Sequence, residues 1–114
     1  MDVRDLMVGD WVAMKVGLPE IRQIKYTAEL NDAAFYNPIP LTTEILEKNG
    51  FVYTPLGTWH WGKEYNVTLL EEPSVWWLTI DSFIIAGEIA MAINNVHELQ
   101  HAIRLFGIKK QIKL

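Results

Sequence analysis

Turn-forming residues interrupt the chain from Val52 to Ile93 so often that no helix of useful length fits between them. Pro55-Leu56-Gly57, Gly62-Lys63-Glu64, Glu71-Glu72-Pro73, Asp81-Ser82 and Gly87 separate short runs rich in aromatic and β-branched side chains. The expected strands are Val52–Thr54, Thr58–Trp61, Tyr65–Leu70, Val75–Ile80, Ser82–Ala86 and Glu88–Ile93. Short strands joined by turns at this spacing imply an antiparallel meander. Period-two alternation places Trp59 and Trp61 on one face of their strand and His60 on the other, and it sends Trp76 and Trp77 to opposite faces of theirs.

The first third reads differently. Gly9-Asp10 forms a turn into a strand over Trp11–Val16, Gly17-Leu18-Pro19-Glu20 a hairpin connection, and Ile21–Thr27 a return strand with Ile24 and Tyr26 on one face. Asn31–Asn37 reads as loop. A V-G-D-x-V strand followed by a turn and a return strand also opens SH3-like barrels. The expected fold is therefore α+β: an antiparallel β-meander or a small, partly open barrel, with two short helices packed on it. At 114 residues the chain fits one domain over positions 1–114.

Both helices carry full start and stop signals. Thr42 is placed as an N-cap, Leu41 and Leu46 as a hydrophobic staple, Glu44 in the first turn and Lys48 in the last. Gly50 suits a left-handed C′ position, with Phe51 packing back on Leu46. The second helix starts at Asn95 with Glu98 three residues on, a capping box. It carries Val96, Leu99, Ile103 and Phe106 as its apolar stripe, and Gly107-Ile108 ends it as Gly50-Phe51 ends the first. Lys109–Leu114 alternates apolar and basic residues, which predicts a final edge strand.

Composition removes several function classes. Half the residues are apolar and 21% charged, the balance of a globular protein. The absence of cysteine excludes disulfides and thiolate chemistry and fits a cytoplasmic location. The N-terminal stretch lacks the basic and apolar regions of a signal peptide. Ser74–Ile93 has membrane-like hydropathy, but Asp81 and Glu88 lie inside it. An acidic side chain at a bilayer centre costs roughly 2.5–3.5 kcal/mol, so a soluble chain with no membrane partner is expected. A net charge of −4 argues against general nucleic-acid affinity. Arg104, Lys109, Lys110 and Lys113 read as a solvated basic rim.

Three blocks resemble a family of small uncharacterised proteins from Bacteroides-type gut bacteria and their phages and mobile elements. They are D-L-M-V-G-D-W-V at positions 5 to 12, N-P-I-P-L-T-T-E-I-L-E-K-N-G-F at 37 to 51, and V-H-E-L-Q-H-A-I-R-L-F-G-I at 96 to 108. The family pattern opens L-R-I-G-N/D-x-V, continues P-I-P-L-T-E-E-x-L-x-K-x-G-F and closes V-H-E/Q-L-Q-N/H. The middle, Val52 to Ala92, has no counterpart in it. The resemblance implies a single small cytosolic domain and no particular activity. It also implies that Glu98 and His101 stand where the family can carry Gln and Asn, neither of which would preserve zinc hydrolysis.

His97-Glu98-Leu99-Gln100-His101 spells H-E-x-x-H, whose i, i+4 histidines can hold zinc beside a glutamate base. A zinc-dependent hydrolase is thus one reading, with His97 and His101 as metal ligands, Glu98 as catalytic base, and His60, Asp81 or Glu88 as third-ligand candidates. Against it, Glu98 has a capping role, Arg104 and Gly107 depart from the extended zinc motif, and no acidic residue follows His101. The competing expectation is a packing helix whose two histidines lie on a solvated face, with no catalytic residue and no cofactor. Asp81 and Glu88 as an acid/base pair is weaker than acidic residues at turns. A nucleic-acid-binding module built from the N-terminal hairpin and C-terminal lysines is a further alternative. The preferred expectation is a non-enzymatic accessory protein that binds another protein, a second copy included, through the sheet face the helices leave open, with Trp76 or Trp77 contributing. Trp59 and Trp61 are expected in the core.

Overall fold

The computed structural model describes residues 1–15, 20–62, 65–82 and 88–114. Among these, the chain is α+β with two open antiparallel sheets and no closed barrel. The first sheet has the order β2-β1-β3, from β1 (Trp11–Met14), β2 (Ile21–Gln23) and β3 (Tyr36–Asn37). The second is a five-stranded meander in chain order: β4 (Val52–Tyr53), β5 (Trp59–Trp61), β6 (Tyr65–Glu71), β7 (Trp76–Ser82) and β8 (Glu88–Ile93). Helix α1 (Thr43–Lys48) precedes the meander and α2 (Val96–Leu105) follows it.

Alternation decides the faces of the meander. Cross-strand rows Trp59–Leu69–Leu78–Met91 and Trp61–Val67–Ile80–Ile89 point inward. Leu69, Leu78, Val67 and Ile80 are fully buried there, in one core with Leu46 of α1 and Val96, Leu99 and Ile103 of α2. The opposite rows run Val52–His60–Thr68–Thr79–Ala90 and Leu70–Trp77–Ala92. Asp81 and Ser82 do not break the sheet. The ladder runs through them, against Asn66 and Tyr65, because β6 supplies partners to the end of β7. The expected strand Ser82–Ala86 lies outside the described residues beyond Ser82, as do the tips of the turns after Val16 and Gly62.

A helix as short as α1 is marginal in isolation, so its ends matter. Thr42 Oγ1 accepts the Ile45 N–H at 3.3 Å. At the other end Gly50 takes φ +84°, its N–H donates to Glu47 O, and Phe51 N–H donates to Leu46 O. Gly107 (φ +82°) and Ile108 repeat the pattern on Arg104 O and Ile103 O. In each case a Cβ would be forced into the left-handed region that glycine enters freely.

Three expectations fail for local reasons. The strand from Ile21 stops at Gln23, because the Glu29 carboxylate takes the N–H groups of Lys25 and Tyr26, both at 3.1 Å, and pulls that backbone out of the ladder. Ile24 is consequently buried while Tyr26 is exposed, so they do not share a face. Thr27–Phe35 is a 3₁₀ helix leading into β3, where Asn31–Asn37 reads as loop. Lys109–Leu114 is no strand, since no neighbouring strand offers it a ladder among the described residues. Instead Asn49 acts as a surrogate partner: its Nδ2 donates to Lys113 O and its Oδ1 accepts from Lys113 N, both at 2.7 Å. Trp11 Nε1 donates to Ile112 O at 2.7 Å and fastens the same strap.

Candidate functional site

Helix α2 is buried on more than one side, which overturns the expectation of a solvated histidine face. Val96, Leu99, Ala102 and Ile103 enter the large core. His97 and Gln100 are also buried, on the side turned to the N-terminal unit, and His101 is only partly exposed. A helix pressed between a sheet and a second packed unit has little free surface for imidazoles. The signal available in the sequence was the lone Asp10 of the V-G-D-W turn, but no local pattern ties it to a residue 91 positions away.

Asp10 is fully buried and accepts three bonds. Met7 N–H and His101 Nε2 reach Oδ2 at 2.8 and 2.6 Å, and Arg104 Nη2 reaches Oδ1 at 3.5 Å. A carboxylate can only accept, so His101 Nε2 carries the proton and donates it. One turn earlier, Gln100 Oε1 accepts Trp11 N–H at 3.0 Å and Gln100 Nε2 donates to Gly9 O at 2.8 Å. The amide thus reads the main chain on both sides of Asp10. The middle block joins the same helix: Leu41 N–H donates to Asn94 O and Val96 N–H to Ile39 O. The three blocks of the sequence meet around α2.

The H-E-x-x-H atoms are placed for this packing. Glu98 Oε1 accepts the N–H groups of Asn94 and Asn95 at 3.1 and 3.0 Å, completing the capping box. His97 and His101 stand edge to face, ring centroids 5.5 Å apart. His101 Nε2 already faces Asp10, and His97 Nδ1 is buried without a hydrogen-bond partner among the described residues. Burial and the neighbouring His101 hold the His97 imidazole below its ordinary pKa of 6.5. The third-ligand candidates are not brought to this helix. His60, Asp81 and Glu88 all sit on the outward rows of the five-stranded sheet, away from the core that α2 enters. Among the described residues no three His, Asp or Glu side chains converge as a metal cluster.

The outward face is the other candidate region. Trp76 is buried, and its Nε1 donates to Leu41 O at 3.2 Å, so it belongs to the core. Trp77, one residue on, is 47% exposed beside Leu70 and Ala92. Trp59 and Trp61 are half-buried against the core. Asp81 and Glu88 face each other directly across β7 and β8, a like-charge pair that destabilises its own sheet. Asp81 Oδ1 is buried with no hydrogen-bond partner among the described residues.

No family model, curated protein or solved structure matches the chain. No helix among the described residues is long and apolar enough to cross a membrane.

Proposed function

We propose that this chain is a small, non-enzymatic protein-binding domain whose partner docks on the outward face of the five-stranded sheet. The observation that carries the reading is the exposure of Trp77 on that face, in the row Leu70–Trp77–Ala92 near the β6–β7 turn. Large aromatics contribute most at interfaces when a partner can bury them completely. Beside it on β6, β7 and β8 the side chains of Thr68, Thr79, Ala90 and Ala92 are small and let a partner approach closely. At one end the Asp81–Glu88 pair has no counter-charge among the described residues. The partner is therefore a protein surface with an apolar recess for Trp77 and a Lys or Arg opposite Asp81. The three-block resemblance supports an accessory protein of a gut bacterium, phage or mobile element, acting in the cytoplasm. The engagement of Glu98 in the cap and of His101 with Asp10 supports a structural role for H-E-L-Q-H over zinc hydrolysis.

A photo-crosslinking residue at Thr79 tests the reading in lysate of the native cells. An adduct is expected whose peptide map contains Lys or Arg at the contact, and which disappears in Trp77→Ser and weakens in Asp81→Lys. An adduct indifferent to both substitutions, or none, defeats the proposal. An adduct to a second copy replaces the foreign partner by a homodimer.

A further inference from the structure

An open cavity of about 710 Å³, within the size range of small-molecule sites, lies where the β4–β6 end of the meander meets the segment after α2. Its walls come from Val52, His60, Trp61, Tyr65 and Ile108, and the basic side chains at its mouth are Lys109 and Lys110. Gly50 and Gly62 complete the lining, and a Cβ at Gly50 would lie 3.7 Å from Trp61 Cδ1. His60 Nε2 is held by Asn66 Oδ1 at 3.0 Å, which fixes the ring at the wall.

The charge here is the informative part. Lys110 Nζ stands 4.7 Å above the centre of the Trp61 ring, a cation–π contact that anchors the ammonium at the wall. Neither Lys109 nor Lys110 has a carboxylate partner among the described residues, although the chain is acidic overall. Burial, and then the neighbouring Lys113, depress the Lys110 pKa. A half-buried ammonium with no counter-ion among the described residues, beside an aromatic wall, favours a ligand that brings an anion and an apolar ring together.

We propose that this cavity binds a small aromatic anion, its ring against Trp61 and Tyr65 and its carboxylate or phosphate at Lys109 and Lys110. Nucleoside monophosphates and aromatic carboxylates share that chemistry. Calorimetric titration of the intact chain with AMP, adenosine, indole-3-acetate, indole-3-acetamide and inorganic phosphate separates them. At least one of the two aromatic acids is expected to bind about tenfold or more tightly than its neutral counterpart and than phosphate. Lys110→Met should weaken that acid about tenfold, the loss of roughly 1.4 kcal/mol, and Trp61→Leu should weaken it too. Lys25→Met and Trp77→Ser should leave it unchanged, which keeps this site distinct from the surface around Trp77. A circular dichroism spectrum matching the parent confirms that each variant folds. The inference is overturned if no acid binds, if neutral analogues or phosphate bind equally well, or if folded Lys110→Met binds as the parent does.

Discussion

The five-stranded sheet and the N-terminal three-stranded unit are held together by different physics. The larger sheet closes over a continuous core in which Val67, Leu69, Leu78, Ile80, Leu99 and Ile103 exclude water almost entirely. Among the described residues the smaller unit has five that are buried and apolar, Leu6, Val12, Ile24, Ala33 and Tyr36, around strands of two to four residues. A core of that size offsets little of the conformational entropy of its own chain. It is secured instead by directional contacts to α2, through Asp10, Gln100, His101 and Arg104. Burial without direction holds the one region, and a few aimed polar bonds hold the other.

The largest expected effect breaks the non-directional side. Leu78→Ala removes a fully buried side chain at the centre of the meander and should cost about 2–5 kcal/mol. Urea unfolding followed by fluorescence should show one transition at lower midpoint, and a loss below about 1 kcal/mol would mean the core is looser than its burial implies. Asp10→Ala attacks the directional side. It leaves Met7 N–H, His101 and Arg104 without their acceptor, for a loss of about 2–3 kcal/mol given that His101 and Arg104 stay partly hydrated. Hydrogen exchange is the sharper readout: amides of β1 and β2 should lose protection while those of β6 and β7 keep theirs. Uniform loss across both sheets would erase the distinction between the regions.

Smaller effects refine it. Gly107→Ala puts a Cβ at φ +82° with no atom of the described residues within 4 Å of it, so only backbone strain is added, about 1 kcal/mol by thermal unfolding. The smallest effect depends on pH. With its pKa held below 6.5, folded His97 binds fewer protons than it does in the unfolded chain. The stability linked to the neutral ring is complete above pH 6.5 and declines as the pH falls toward the folded value. His97→Leu should therefore lose less of its urea midpoint than the parent between pH 7 and pH 5. Parallel losses in both proteins would show that the ring stays neutral in the unfolded chain or is charged in the folded one.

What the sequence made legible follows from range. Helix caps, the Gly50 and Gly107 endings and the alternation of β5 and β7 are decided by residues within a few positions, and each appears as expected. The 3₁₀ segment Thr27–Phe35 was not legible, because Ala28, Leu30 and Ala33 carry no clear apolar period and the decisive contact is the reach of Glu29 back to Lys25 and Tyr26. The final residues alternate like a strand, yet that pattern reports only which side chains face inward. Ile108 and Ile112 are buried as the alternation suggests, while the backbone finds a side chain, Asn49, where a strand would be. The exposure of Trp77 and burial of Trp76 follow from parity, but which parity faces out depends on where α1 and α2 land. The Asp10–His101 contact and the Trp61–Lys110 cavity join distant positions, and no local pattern encodes either.

The Asn49 tie has a consequence for how this molecule ages. Asn-Gly is the dipeptide most prone to spontaneous deamidation, through attack of the glycine nitrogen on the side-chain amide carbon. In the fold that nitrogen donates to Glu47 O, and the amide is pinned by Ile45 O and both main-chain groups of Lys113. The succinimide route is closed while the strap is shut and opens when it lifts. Mass spectrometry of stored protein should find conversion at Asn49 slow in the parent and faster in Asp10→Ala only if loosening the N-terminal unit also frees the strap through Trp11. A new carboxylate there would face two carbonyl oxygens, so the first such event would hold the strap open and the tie would not re-form.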